Sequence, residues 1–466
     1  MTQPPSSRDI DALIDPMGTG VFRAVEPLQV AAMLESQGLN DKVARELYDH
    51  TSVFSLAETA YSHIRSKGAP PPGSTGFLKR ARPVAQILHG LLYALPAALL
   101  PAASGLVGTQ WLMPGLVFTT GLGWVIGGAA THLAYSLIGH GHVRSAGRVL
   151  RTGMLVAVLG VAMLAGVITG LRDGPVELIA LCIMQVTFQI ASGILLFYRR
   201  EGWLGLIMMP AVVAGVAYIV IGDSDIGLLT LGVGFACILA CVAGALRLTL
   251  TRNPAGDAAE PPLRLLARAN VRALLPWVLY STLSAVFLLQ AEARYVLDRT
   301  DIAVAGAGLV IGMGILEYRA HAFEDETRAA IRQVRYPSDF TRRGRWLLAK
   351  GVLICLAWLA VLSVLPLAFL LGKNELTHAS IAMAAAHVIV GGAYFLAFLL
   401  GNQGRVVPLC VAQAAALAVH PLGRLLLPAG APALADVLLF AAAALLFLLI
   451  LLVLMSQGLR DVRQYS

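Results

Sequence analysis

Hydrophobic positions along this chain fall into long unbroken runs, near residues 84–105, 113–137, 152–171, 176–198, 202–221, 226–246, 273–291, 302–317, 346–371, 379–400, 406–426 and 433–455. A helix needs about 20 apolar residues to cross about 30 Å of hydrocarbon, and these runs match that length. They lack the apolar/polar alternation of a membrane barrel strand. Backbone groups in lipid must be satisfied within helices or a closed barrel, so the pattern predicts an all-α polytopic protein with twelve transmembrane helices. The first run contains Pro96, the seventh contains Pro276, and the eighth is short and glycine-rich.

Composition supports the same class. Of the 466 residues, 57% are hydrophobic and 13% charged, with a mean hydropathy of +0.74, which argues against a soluble globular protein. Met1 to Asp15 is polar and acidic, unlike a signal peptide. The five cysteines, Cys182, Cys237, Cys241, Cys355 and Cys410, all fall in apolar runs. They read as small buried residues, and no cofactor or metal site is expected.

The net charge of +8 does not point to nucleic acid, because its distribution is periodic. Arg144, Arg148 and Arg151, then Arg199 and Arg200, then Arg247 to Arg272, then Arg319 to Arg345, then Arg405 occupy every second connection. The intervening connections hold only Arg172, Arg294, Arg299 and Lys373. By the positive-inside rule the rich connections face the cytoplasm. Both termini are then cytoplasmic, in a multi-pass protein of the bacterial plasma membrane. Tyr318 to Arg345 reads as a separate amphipathic helix on that side, suited to topology and anionic lipid.

Residues 1–67 read as a small cytoplasmic helical domain. Val30–Gln37 is a helix ended by Gly38, Asn40 caps 41–49, and Ser52 or Ser55 opens a third helix. Leu28, Met33, Leu34, Val43, Leu47, Val53, Phe54, Leu56 and Tyr61 are its candidate core. Such a piece is marginal alone and suggests a docking or regulatory role. A Pro/Gly linker and basic flank at 68–82 lead to a first six-helix lobe (83–246). A cytoplasmic linker (247–272), a second six-helix lobe (273–456) and a tail (457–466) follow.

The lobes share a phrase. Gly121-Leu-Gly123-Trp-Val125-Ile126-Gly127 returns as Gly306-Ala-Gly308-Leu-Val310-Ile311-Gly312, each in the second run of its lobe. With the charge map, both copies run in the same direction, which implies a parallel repeat with a pseudo-two-fold along the membrane normal. Glycines there let backbones approach and slide.

Gly127 to Arg151, with Thr131-His132, Tyr135-Ser136, Gly139-His140-Gly141-His142 and Arg144, Arg148 and Arg151, resembles the second-to-third span region of the multidrug/oligosaccharidyl-lipid/polysaccharide (MOP) flippase superfamily. Gln290-Ala-Glu292-Ala-Arg294-Tyr-Val-Leu-Asp298-Arg299 resembles the polar seventh-span end of its polysaccharide branch, Pel-type or Wzx-like. The resemblance implies twelve to fourteen helices in two six-helix lobes and a transporter rather than an enzyme. Cation-coupled multidrug extruders of the superfamily often carry an acid in the first span, whereas 84–105 offers only His89 and Tyr93. The major facilitator pattern expects an aspartate that 138–151 lacks. The expected function is therefore a flippase for a lipid-linked oligosaccharide or polysaccharide intermediate, contacting membrane lipids. The alternatives are a multidrug exporter of the same fold and a scaffold of a glycan-export complex. A membrane glycosyltransferase fits poorly, because the outer connections are short and the Asp298–Asp301 region is the acid-bearing candidate at the head of a second-half span.

Polar residues inside the runs are the site candidates, because polar groups in hydrocarbon face protein or water. Gln185 and Gln189 lie one turn apart, and Gln413, His420 and Arg424 form a stripe in the eleventh run. As cavity lining they would meet sugar hydroxyls or, at Arg424, phosphate; as packing groups they would bridge helices. Gln290, Glu292, Arg294, Asp298 and Arg299 are outer-gate candidates, pairing as Glu292 with Arg299 or Arg294 with Asp298. His132 and His387 are proton-relay candidates, or packed histidines.

Overall fold

The computed structural model describes residues 10, 13, 24, 26–67, 87, 89–139, 142–250, 263–292, 295, 299–331, 337–428 and 432–459, with backbone alone at 65–67, 89, 93–94, 224, 263–273, 291–292, 300 and 337–338. The 68–82 linker, the 251–262 portion of the inter-lobe linker and the tail beyond 459 lie outside the described residues. The chain forms two compact units. One comprises 1–80 with 328–337 and 461–466; the other comprises 81–327 with 338–460.

In the first unit α1 (Pro27–Ser36), α2 (Asp41–Tyr48) and α3 (Val53–Lys67) follow local signals. Gly38 has φ +87°, a left-handed conformation that glycine adopts at no steric cost, so the chain turns there. The Asn40 side chain accepts from the Lys42 and Val43 amides, and the Ser52 hydroxyl accepts from Ser55 N–H at 3.2 Å, so Ser52 is the residue that opens α3. Val30, Ala31, Leu34, Ala44, Val53, Leu56, Ala57, Ala60 and Ile64 form the core. Leu28, Leu47 and Phe54 do not join it; they are exposed. On α3 the buried face runs 53, 56, 57, 60, 64, a helical stripe that leaves position 54 on the far side.

The second unit is the membrane body. Eleven of its helices are long and apolar enough to cross a bilayer, and Leu274–Gln290 adds a shorter apolar segment, so the twelve predicted spans are present. The first span is broken: α4 (His89–Ala94), a 3-10 stretch (Leu95–Leu99) and α5 (Leu100–Val107). Pro96 and Pro101 remove two backbone donors there, and the chain tightens instead of continuing as α-helix. A methyl at Gly215 would strike the Ala98 backbone, and one at Gly234 would strike Leu99, so glycines seat the break.

There follow α6 (Thr109–Gly139), α7 (Val143–Arg172), α8 (Glu177–Phe197), α9 (Glu201–Ile221) and α10 (Ser224–Leu250) in lobe one. Lobe two holds α11 (Leu263–Glu292), α12 (Thr300–Ala305), α13 (Ala307–Ile331), α14 (Pro337–Gly372), α15 (His378–Asn402), α16 (Val406–Arg424) and α17 (Ala433–Gly458). Among the described residues, 318–345 does not form the separate amphipathic helix expected. The eighth span continues as α13 to Ile331, and α14 starts at Pro337. No proline or glycine lies between Leu316 and Ile331, and the arginines and glutamates there are good helix formers.

In lobe one, α6, α7, α8 and α10 pack together, with Val186, Leu195, Leu204, Met208 and Cys241 fully buried among them. In lobe two, α15 is the central helix, packed on α17, with Phe395, Phe447, Leu359 and Leu451 buried. Leu171, Leu206 and Val220 are 77–79% exposed, a placement that lipid favours and water would not.

Candidate functional site

The lobes meet along a reciprocal seam. The second span of lobe one, α6, packs on α11, the first full span of lobe two. A methyl added at Gly90, in the first span of lobe one, would run into the main-chain carbonyls of Val310 and Ile311 in α13, part of the second region of lobe two. First-to-second and second-to-first contact is the exchange expected from a two-fold relation between like-oriented lobes. On the α6–α11 side, Gly121 faces Leu289, a methyl added at Gly128 would lie 3.1 Å from Ser281 Oγ, and the His132 ring stacks on Trp277 with centroids 4.4 Å apart. Neither α6 nor the 274–290 stretch of α11 contains an Asp, Glu, Lys or Arg. The seam is lined by glycine, hydroxyl, imidazole and indole groups.

The repeated phrase is less symmetric in space than in sequence. Gly123 and Gly127 lie against Gln189 and Ile190 of α8, the fourth span, whereas Gly308 and Gly312 lie against Ser363 and Leu359 of α14, the ninth. The fourth span corresponds to the tenth under the repeat, so the two copies pack on non-equivalent helices.

The cavity candidates form two separate groups. In lobe one, Gln189 Nε2 donates to Thr120 O at 3.2 Å, tying α8 to α6, and the hydroxyl of Ser192 turns back to Gln189 O. Gln185 is half-buried one turn away. In lobe two, Gln413 is fully buried, and Ser284 of α11 donates to its Oε1 at 3.1 Å. His387 is buried, its Nδ1 2.9 Å from Met383 O of its own helix. With His132 stacked on Trp277, both histidines are packed residues.

His420 and Arg424 belong to a different constellation. Asp436, in the first turn of α17, is 5% exposed. Its Oδ1 takes Arg424 Nη1 at 2.6 Å and lies 3.1 Å from His420 Nε2, and its Oδ2 accepts from Tyr295 OH at 2.5 Å. Gln290 Nε2 lies 2.8 Å from His420 Nδ1. If the amide donates there, the His420 proton sits on Nε2, facing the carboxylate. Three side chains, Tyr295 after α11 and His420 and Arg424 of α16, thus converge on one buried acid, with Gln290 of α11 behind His420. Arg424, expected as a cavity residue able to grip phosphate, has an ion-pair partner in Asp436 that the sequence reading did not foresee. The physical reason is that an acid at the start of one span and an arginine at the end of the preceding one share a membrane face.

Sequence reasoning misses Asp436 and Tyr295. Asp436 sits where an acid ordinarily complements a helix N-terminus, which hides its role. The usable signal is that it is the only acid in the last run.

The predicted outer gate is brought together only in part. Gln290 joins the Asp436 group. Arg299 pairs with Asp301 through Nε–Oδ1 and Nη2–Oδ2 contacts of 2.9 Å each, and the Thr377 hydroxyl of the α15 cap donates to Asp301 Oδ2 at 2.7 Å. Hydrogen bonding to Asp301 pushes the Arg299 guanidinium above its ordinary value. Arg294, Asp298 and the side chain of Glu292 lie outside the described residues.

These helices, paired in two lobes across a glycine seam, share their fold with solved membrane transporters. The chain is similar to an outward-facing multidrug resistance MATE family transporter of the MOP superfamily at 13% identity, covering 85% of this chain and 100% of that one with a TM-score of 0.53. It is similar to a MATE point mutant at 12% identity, covering 82% and 95% with a TM-score of 0.54. It is also similar to MATE in complex with MaL6 at 13% identity, covering 82% and 95% with a TM-score of 0.51. No protein-family model matches the sequence, and no curated protein matches it.

Proposed function

We propose that this protein is a flippase that carries an amphiphilic saccharide intermediate, linked to lipid through a diphosphate, from the arginine-rich face of the membrane to the other. The two lobes would rock about their seam to expose it alternately to each side. The observation that carries this reading is the uncharged seam. A transported cation would be drawn by a carboxylate, and neither α6 nor 274–290 supplies one. Serine, histidine, tryptophan and glutamine offer hydroxyl-matching donors and flat apolar faces instead. The first span, without acid, agrees.

The second reading is a multidrug exporter. It is favoured by solved structures of this fold that carry that description. Proteoliposomes decide between them. The flippase should accelerate translocation of a fluorescent lipid-linked saccharide, measured by loss of accessibility to an external lectin, and leave a cationic dye where it is. Dye efflux without saccharide movement reverses the assignment. A scaffold role through residues 1–67 predicts that their deletion spares translocation and abolishes capture of glycan-synthesis proteins.

A further inference from the structure

α13 and α14 hold a cationic group that the lobe seam does not use. Arg319 of α13 lies just past the apolar part of the eighth span, and its side chain is only 13% exposed. Its Nη2 stands 3.6 Å from Glu326 Oε1, an ion pair too long for a hydrogen bond. Its Nε is buried and meets no acceptor among the described residues. A buried donor left unmatched bears its full desolvation cost, so it calls for an acceptor from outside the chain. Glu326 is shared: Lys350 Nζ of α14 donates to its Oε2 at 3.2 Å. Two cations on one carboxylate leave one positive charge in excess. Past Asp339, α14 adds Arg342, Arg343 and Arg345 and no acid.

The surroundings of Lys350 point to lipid. Its Nζ also lies 5.5 Å from the centroid of the Trp346 ring, within reach of a cation–π contact. Trp346 opens the ninth apolar run, the level at which tryptophan favours the membrane boundary. Positions 346, 350, 353, 357, 361 and 364 recur at helical spacing and share one face of α14. Along it Trp346, Leu353, Val361 and Val364 are 59–65% exposed. Lys350 therefore stands at the polar end of an apolar stripe that faces the hydrocarbon.

We propose that Arg319, Lys350 and Trp346 form a site for one anionic phospholipid at the arginine-rich boundary of lobe two. Its phosphate takes Glu326's place on Arg319, accepting from the Nε and Nη2 edge as a guanidinium donates to phosphate. Lys350, with three donors, holds Glu326 and a second phosphate oxygen together. One acyl chain follows the stripe past Leu353 towards Val364. The lipid would thus tie α13 to α14 through charges that the protein alone leaves unbalanced, and this does not depend on what is transported.

The test is the melting temperature of the full-length protein in phosphatidylcholine nanodiscs as phosphatidylglycerol replaces part of the bilayer. A ligand that binds only the folded form raises it saturably. The half-saturating phosphatidylglycerol fraction should rise about tenfold in Arg319→Gln and several-fold in Lys350→Gln and Trp346→Ala. It should fall several-fold in Glu326→Gln, where the competing carboxylate is gone, and stay unchanged in Arg345→Gln, off the stripe. Exposed Trp346 and half-buried Lys350 keep the test open if Arg319→Gln folds poorly. A merely structural Arg319–Glu326 pair would instead lower the melting temperature in both Arg319→Gln and Glu326→Gln and leave the lipid dependence alone, which overturns the site. No saturable rise, or an equal loss in Arg345→Gln, overturns it too. A rise of the same size from inorganic phosphate added to pure phosphatidylcholine discs overturns the lipid assignment.

Discussion

Arg424 and Asp436 meet at 2.6 Å across the last two membrane helices, and the Asp436 carboxylate is the hub for three further side chains. Tyr295 hydrogen-bonds it, His420 Nε2 lies 3.1 Å from its Oδ1, and Gln290 meets the other nitrogen of His420. The acid is buried while its arginine is about half exposed, with side-chain accessibilities of 7% and 48%. The two partners are therefore unequal.

Removing the acid strands an arginine, an imidazole and a phenol together. Asp436→Ala should destabilise the protein by about 3 kcal/mol, the usual penalty for breaking a buried charged network from one side. Tyr295→Phe should cost about 1 kcal/mol. Arg424→Ala should shift the melting temperature less than Asp436→Ala, because its guanidinium can be replaced by solvent. Thermal unfolding in detergent orders the three, and a larger shift for Arg424→Ala would refute the hub.

The lobe seam makes a steric prediction at Gly90. A methyl there meets main-chain carbonyls, which cannot swing aside as a side chain can. Gly90→Ala should lower the melting temperature and impair translocation together. Gly128→Ala meets the rotatable Ser281 hydroxyl at 3.1 Å and should be nearly silent. Equal effects at the two positions would show that the seam is not closely packed at α4.

Gln189 separates helix glue from substrate contact. Its amide already spans α8 to α6 through Thr120 O. Gln189→Ala should cost about 1 kcal/mol of stability and leave translocation per folded molecule within about twofold of the parent. A large transport defect at unchanged stability would return Gln189 to the cavity.

The Arg299–Asp301 pair is bidentate and capped by Thr377. Asp301→Asn should lower the melting temperature, and Thr377→Val should lower it less. Strong salt should blunt the first effect, since Arg299 is partly open to solvent. Melting curves at low and high ionic strength check both.

Much of the architecture was legible in the chain. Twelve apolar runs became twelve spans because lipid forces each to satisfy its own backbone, a constraint that acts segment by segment. Asn40, Ser52 and Gly38 likewise act within a few residues of themselves. Mixed charge over 318–345 suggests a separate helix, yet no proline or glycine between Leu316 and Ile331 breaks the eighth span. Leu28, Leu47 and Phe54 were placed in a core because apolar character was counted without the face that carries it.

The amino-acid sequence alone settled the membrane class and the apolar helices, both set by local hydrogen bonding and by the length of hydrocarbon to be crossed. Only tertiary structure decided that Arg424 serves Asp436, that the candidate glutamines divide between two lobes, and that the repeated glycines pack on non-equivalent partners. Those outcomes depend on the rotation of each helix about its own axis. A helix surrounded by lipid has little hydrophobic preference for one face over another, so that rotation is chosen by packing between segments far apart in the chain.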